Sequence, residues 1–419
     1  MKRNCAVKFL LPSIVFAPAL LMANGLRLLS QDGFATARGE AFAATADNPS
    51  AIYYNPAGIT QIEGTQTRSG VYGLDYDSSF TPPAAAPNAG RTYHINHNLA
   101  AAPSFFGTLA LKDTPVTLGL GAYAPYGGAL AWPENTGFRS VAIESRLFYV
   151  RLNPVIAVKL PWHLSLAAGA NVDFAKLKLK QGLRASLSGN SFRFVGDGWS
   201  AGYNAGVLWQ PHKTISLGAT FRSESPFSLE GRSEFERQPI LQPSSRHARA
   251  DFTFPLTAVA GISFRPTPKW NIEFDADYTD WSSISSTSIR LDNPPFPIRA
   301  VIPLTLDWKP SWVFELGATR RFDNGWHASA GYVFNQNSVP NDYYTPLLAD
   351  LDRHFVTAGV GHAGKRINWD VAYQFGYGPP HTVTGSAPSS DPALSSAQTA
   401  DGTYKFMSHA VFVSVGMKF

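Results

Sequence analysis

The chain has 419 residues, of which 16% are charged and 13% aromatic, with 35 glycines and 31 prolines. Soluble domains carry about 25% charged residues, so this composition describes a sheet-rich protein with much apolar surface. The formal charge of +5 includes Lys2, Arg3 and Lys8 near the amino terminus, which leaves 5 − 3 = +2; that gives no support to nucleic-acid binding, which requires a concentrated basic face.

Residues 1–23 open with those three basic residues, continue through an apolar centre at 9–16, and carry small residues at Ala17-Pro18-Ala19 and Ala23. This is the pattern of a secretory signal peptide, too short for a stable membrane helix. Cys5, the one cysteine, lies inside it without the context of a lipoprotein cleavage box, so the mature chain is expected to lack disulfides and thiol chemistry. Residues 24–64 are too irregular for a strand. Asn48-Pro49 and Asn55-Pro56-Ala57-Gly58 place repeated turn chemistry in a small, apolar segment, because each proline fixes φ and biases its predecessor away from the helix. This piece is read as a plug held inside a barrel.

From residue 65 to 419 the chain reads as strands. Trp270, Ile272, Phe274, Ala276 and Tyr278 share one face and Asn271, Glu273, Asp275 and Asp277 the other; residues 367–377 repeat the pattern. Alternation fits a soluble sandwich and a membrane barrel equally, but the connections separate them. Short turns at 112–116, 160–163, 211–214, 266–269, 322–325 and 363–366 alternate with long segments at 78–99, 128–146, 181–199, 225–249, 285–310, 335–352 and 378–407. An outer-membrane barrel has short periplasmic turns and long outer loops, and this spacing gives about fourteen strands. No stretch after the signal approaches the roughly 20 apolar residues of a membrane helix, so such an exported chain meets a bilayer only as a closed barrel. The last strand, 409–419, alternates to a terminal Phe419 and is similar to the signal read by the barrel assembly machinery.

Asn55-Pro56-Ala57, Tyr126-Gly127, Tyr278-Thr279-Asp280-Trp281-Ser282, Trp308-Lys309 before Trp312, Gly331-Tyr332 and Asp352-Arg353 occur in an order and spacing that resembles the FadL/TodX family of outer-membrane transporters for long-chain fatty acids and other hydrophobic compounds. The likeness covers nearly all of the mature sequence. It implies an all-β, transmembrane antiparallel barrel of about fourteen strands, monomeric, closed by an amino-terminal hatch. Ligand would be captured in an apolar groove among the outer loops, pass to a tighter site, and leave sideways through an inward kink of the third strand after the hatch shifts. Sideways release avoids exposing an alkyl chain to water, at about 0.8 kcal/mol per methylene.

The resemblance assigns hatch gating to Asn55, Pro56 and Ala57, for which a plain folding turn is the alternative. It places Pro125, Tyr126 and Gly127 at the kink, where proline removes a ladder hydrogen bond; an ordinary strand end is the alternative. Lys309 matches a basic position that contacts a ligand carboxylate, and parity with Val313, Glu315 and Gly317 puts it on the inner face if Pro310 leaves the register intact; the alternative is a loop lysine facing solvent or lipopolysaccharide phosphate. Lys180 lies nearest a second basic position, which itself falls on Gln181. Parity along 164–174 sets Lys176, Lys178 and Lys180 outward, towards lipopolysaccharide.

No nucleophile arrangement, metal spacing or cofactor motif emerges, and lone lumenal histidines such as His327 are read as structural. The resulting expectation is passive, ligand-gated uptake of long-chain fatty acids, with outer-membrane lipid and lipopolysaccharide as surroundings. An importer of aromatic or aliphatic hydrocarbons is the leading alternative, followed by a general porin and an outer-membrane lipid hydrolase.

Overall fold

The computed structural model describes residues 26–96, 98–183, 190–236, 244–284, 286–294, 299–387 and 398–419. The expected export signal, residues 1–23 with Cys5, lies outside them. Among the described residues fourteen antiparallel strands form the wall of a closed barrel: β1 (Thr65–Thr81), β2 (Asn98–Ala110), β3 (Val116–Tyr123), β4 (Glu144–Lys159), β5 (Leu164–Gly182), β6 (Ser191–His212), β7 (Ile215–Arg222), β8 (Thr257–Thr267), β9 (Trp270–Thr279), β10 (Ser311–Arg321), β11 (Trp326–Asn335), β12 (Arg353–Ala363), β13 (Ile367–Val383) and β14 (Gly402–Lys418). Each pairs with the next, and β14 returns to β1 from Gln66↔Lys418 to Thr81↔Thr403, closing the ring. Among the described residues no helix is long and apolar enough to cross a membrane; the strands do so.

The side-chain pattern sets the orientation of the wall. On β9, Trp270, Ile272 and Phe274 are exposed, whereas Asn271, Glu273, Asp275 and Asp277 are buried. The apolar face therefore looks outward and the polar face inward, the reverse of a soluble sandwich and the arrangement of a lipid-embedded barrel. Exposed aromatics ring both ends, with Trp162, Trp209, Trp270 and Trp326 near the short turns and Trp199, Trp312, Tyr332 and Tyr377 near the long connections. All six expected short turns join consecutive strands.

Two of the expected long loops are sheet. Residues Ser225–Glu236 and Ser244–Phe254 form a hairpin paired to β6, and Ser286–Leu291 with Val301–Thr305 continues that sheet. The hairpin buries Phe227, Leu229 and Phe235 while its other face carries Glu230, Arg232 and Glu234. The same alternation that makes a wall strand thus extends the wall on one side. At 19 and 22 residues, β5 and β6 greatly exceed the roughly 9–11 needed to cross a bilayer.

Residues 26–62 pack against the inner wall and are nearly all buried. They contain two short α-helices, Gly33–Ala37 and Ala51–Tyr54, and a 3-10 helix, Pro56–Gln61. Close approach to the wall relies on glycine on both sides: Gly39 has φ +65, and a Cβ on Gly317 would collide with the Arg38 carbonyl.

Val413, on the outward face of β14, is 45% exposed within the lipid-facing band. Val413→Arg should destabilise the barrel by about 2–4 kcal/mol, less if the site lies near an interface; urea unfolding in phospholipid vesicles measures this.

Candidate ligand cavity and wall gap

The ladder is interrupted at the third strand. β3 pairs with β4 from Val116↔Val158 to Tyr123↔Arg151, and pairing resumes at Gly128↔Leu147 through Ala131↔Glu144. Pro125, Tyr126 and Gly127 occupy the break and are all buried. On the other side, Phe105–Ala110 of β2 pair with β3, while residues 98–104 pair with β1 and, among the described residues, with nothing on the third strand. The ladder between β2 and the third strand therefore stops at Ala122.

The amino-terminal segment takes over the missing partnership. The Leu28 amide donates to the Pro125 carbonyl at 2.9 Å and the Gly127 amide to the Leu26 carbonyl at 2.8 Å, making an antiparallel bridge between Arg27 and Tyr126. The Gln31 side-chain amide donates to the Ala124 carbonyl at 2.8 Å, and the Ser104 hydroxyl to the Gln31 carbonyl at 2.9 Å. A proline at the break fits because the kink leaves its position outside the ladder. Tyr126 then packs edge-on against Tyr149 and Trp281.

Buried ion pairs hold this segment across the lumen. The Arg27 guanidinium donates to both Asp277 oxygens, at 2.7 and 2.6 Å, and to the Thr279 hydroxyl at 2.8 Å. Asp32 caps the first helix through the Phe34 amide at 3.0 Å and pairs with Arg68, which also donates to Asp370 at 2.6 Å. The amides of Phe42 and Ala43 each donate to Asp275 at 2.8 Å, and the Ala44 amide to Glu273 at 2.7 Å. Asn55, fully buried, caps the 3-10 helix by accepting from the Ala57 amide at 3.1 Å. Its side-chain nitrogen donates to Ala43 at 2.8 Å and to Val207 of β6 at 2.9 Å. Pro56 starts that helix, where its missing amide costs nothing.

Above the segment lies a cavity of about 200 Å³. Leu26 and Gly128, which flank the bridge at the gap, form part of its lining, with Leu147, Leu177, Leu179, Phe252, Ile284, Ile302, Leu304, Leu306 and Trp308. Ser145, Gln181, Thr305 and Tyr343 are its polar edges, and Arg146 is the one charged lining residue, exposed and on the outward parity of β4. The Trp308 indole nitrogen and the Tyr344 hydroxyl are buried with no hydrogen-bond partner among the described residues. Burial, reinforced by Asp350, pushes the Tyr344 phenol well above its ordinary titration point, so the wall presents it as a neutral group. Such a surface suits an apolar molecule.

A closed fourteen-strand barrel with an apolar cavity beside a broken third strand is matched over residues 14–419 by the family model described as outer membrane protein transport protein (OMPP1/FadL/TodX). The chain belongs to this family. It is 24% identical over 394 residues to the long-chain fatty acid transport protein of Escherichia coli strain K12, spanning 80% of this chain and 83% of the relative. It is 20% identical over 376 residues to a 47 kDa outer membrane protein of Pasteurella multocida, spanning 83% and 85%. In fold it is similar to a Pseudomonas aeruginosa FadL homologue (TM-score 0.82, 18% identity, 94% of this chain and all of that one) and to the Pseudomonas putida toluene transporter TodX (TM-score 0.72, 15% identity, 95% and all). As an OMPP1/FadL/TodX protein it is an outer-membrane transporter of hydrophobic compounds, and not an enzyme.

In this family member Lys309 does not take the inward position that parity suggests. Its Nζ pairs with Asp307 at 2.8 Å and its side chain is 61% exposed. Asp307 has φ 42 and β10 begins only at Ser311, after Pro310, so the inward register of Val313, Glu315 and Gly317 does not reach back to residue 309. Trp308, not Lys309, lines the cavity. Lys176, Lys178 and Lys180 face outward as parity requires; Lys178 pairs with Glu144 at 2.8 Å and Lys180 with Glu236 at 3.2 Å, while Gln181 reaches the cavity. Phe419 is 75% exposed beside β1, its amide donating to Thr65 at 3.0 Å. The sequence places Glu273, Asp275 and Asp277 on the polar face of this strand without giving them a role, and no motif marks Arg27; three acids on the inner parity of one membrane strand are nevertheless a legible signal.

Arg27→Ala would leave Asp277 buried and unpaired, a loss of about 3–5 kcal/mol where the charge stays dry. The Leu28 and Gly127 amides should then exchange hydrogen far faster while β1–β14 pairing survives; amide exchange with mass spectrometry reads both.

Proposed function

We propose that this barrel imports molecules recognised by their apolar body and carrying no obligatory charge, of the aromatic or aliphatic hydrocarbon kind. The observation that carries this reading is the cavity lining: leucine, isoleucine, phenylalanine and tryptophan, with neutral donors and no lysine. An ionised carboxylate buried there would keep most of its desolvation cost, whereas a hydrocarbon gains about 25 cal/mol per Å² of apolar surface removed from water.

The route follows from adjacency. A ligand filling the cavity touches Leu26, and Leu26 is bonded to Gly127 at the wall gap. Displacing residues 26–28 frees Pro125, Tyr126 and Gly127 and opens the gap between β2 and the third strand, so cargo leaves sideways into lipid without crossing water. Residues 24–64 act as the hatch, with Asn55, Pro56 and Ala57 as the fixed pivot on β6 about which its amino-terminal part moves. The packing of residues 26–62 argues against a general porin. We infer further that the barrel works as a monomer, that Phe419 is read by the assembly machinery, and that the outward lysines 176–180 face lipopolysaccharide.

The second reading, long-chain fatty acid, is favoured by the Escherichia coli relative, whose name records that cargo. It places the acyl chain in the same cavity with the carboxylate at the mouth beside Arg146 and Gln181, because Lys309 is turned away and already paired.

Binding of a neutral alkylbenzene and of a long-chain fatty acid to purified protein in detergent, with Lys309→Ala and Leu304→Trp alongside, separates these readings. The hydrocarbon reading expects alkylbenzene binding that is unchanged in Lys309→Ala and weakened about tenfold or more in Leu304→Trp, which fills the cavity. Tight binding of the fatty acid alone, lost in Lys309→Ala, would overturn it.

A further inference from the structure

Arg222, at the end of β7, is a buried cation with no acid of its own. Its side chain is 5% exposed, its guanidinium lies 4.7 Å over the Tyr53 ring, and its Nε and Nη2 have no hydrogen-bond partner among the described residues. An arginine inside a membrane barrel is expensive unless paired, so the position calls for a use. Other buried arginines inside the barrel each have an acid: Arg27 has Asp277, Arg38 has Glu273, Arg68 has Asp32 and Asp370, and Arg151 has Asp173. Tyr53 connects Arg222 to the break in the third strand. Its hydroxyl donates to the Leu28 carbonyl at 3.2 Å, and its ring packs 5.3 Å from that of Tyr123, the last residue of β3.

Register shows which acid Arg222 can reach. Arg222 pairs with Thr257 of β8, and Thr257 pairs with Thr279 of β9, so the three stand in one row around the wall. Thr279 is the hydroxyl that Arg27 binds together with Asp277, and the Thr257 hydroxyl between them is buried and unpartnered. Neighbouring strands lie about 4.8 Å apart, so the Arg222 and Thr279 backbones are about 10 Å apart, a span that an extended arginine and a facing aspartate bridge together. Arg222, Arg27, Asp277 and Tyr53 also border one internal cavity of about 20 Å³, room for a single water. Asp275 and Glu315 border it too, but Asp275 lies two residues further down β9 and Glu315 one strand further round, so Asp277 is the acid Arg222 meets first. We propose that Arg222 is the reserve counter-ion of Asp277: when residues 26–28 leave the third strand and carry Arg27 away, Arg222 swings across Thr257 and takes Asp277. The exchange rests on the reading that residues 26–28 are displaced during release. Removing Arg27 alone would strand a carboxylate in a dry interior, whereas the exchange keeps a guanidinium on Asp277 in both states and gives up only the contact with Tyr53. Arg222 is thus a positioning residue, one that lets the seal move without uncovering a buried charge.

A crystal structure of Arg27→Ala tests the exchange directly: Arg222 should have left Tyr53 and should donate to Asp277. Arg222 still stacked on Tyr53, with Asp277 apart from it, would overturn the proposal. Urea unfolding in phospholipid vesicles closes the cycle, because the full cost of an unpaired Asp277 should appear only when Arg222 is lost too. Arg27→Ala should lower the folding equilibrium constant about tenfold or more further in an Arg222→Gln background than in the wild-type background, and Arg222→Lys, which keeps a cation, should restore the smaller loss. Additive losses would overturn the exchange. Amide exchange at Leu28 and Gly127 under saturating neutral alkylbenzene then separates it from the reading it rests on. Acceleration in wild type that is lost in Arg222→Gln is expected, and equal acceleration in both would overturn the exchange while leaving displacement standing. No acceleration in wild type would overturn displacement itself. Comparison of wild type with Arg222→Gln decides even if Arg27→Ala fails to assemble.

Discussion

A strand in hydrocarbon has no water to satisfy its amides and carbonyls, so a membrane-spanning sheet must close on itself. Every other feature of this molecule is arranged around that requirement and around the one place where it is breached. From β4 to β14 and back through β1 to β2, each wall strand has neighbours on both sides. At Pro125, Tyr126 and Gly127 the third strand leaves the ladder, and the orphaned backbone is satisfied from within by Leu26 and Leu28. The breach is therefore sealed by a piece of chain that is not part of the wall.

That solution has an energetic consequence. A wall strand is held along its whole length by a ladder, but the segment at the gap is held by few bonds and by ion pairs reaching across the lumen, Arg27 to Asp277 above all. Pairs of this kind contribute little net stability relative to apolar packing, because both charges are desolvated, yet they specify one position strongly. Glycines at 39, 317 and 331 let backbone approach backbone where it meets the wall, so contact there depends on shape more than on side-chain burial.

The cavity extends the same economy. Its floor includes Leu26, so one short stretch of chain both lines the cavity and bonds to the third strand at its break. Its lining also takes Phe252 from the strand Ser244–Phe254, and Ile302, Leu304, Leu306 and Trp308 from the sheet beside it.

The period-two alternation of 270–279 and 367–377, and the regular exchange of short turns for long connections, determined from the sequence alone that this is a lipid-embedded barrel of about fourteen strands. Those are local properties: which face of a strand is apolar depends only on its own residues. The prolines and glycines at 55–58 and 125–127 likewise marked where the chain cannot be regular. Tertiary structure alone decided what those irregular places touch. Lys309 was misplaced by parity because Asp307 and Pro310 reset the register, a change of backbone path that alternation does not encode. Residues 225–249 read as a long connection in the sequence because glycine and serine dilute their alternation, and it is pairing beside β6 that makes Ser225–Glu236 and Ser244–Phe254 sheet. Arg27 meets Asp277 across 250 positions, and Asp275 meets Glu315 across 40, by closure of the ring. Such pairings arise when distant strands are brought round a common axis, and a one-dimensional pattern carries no term for that closure.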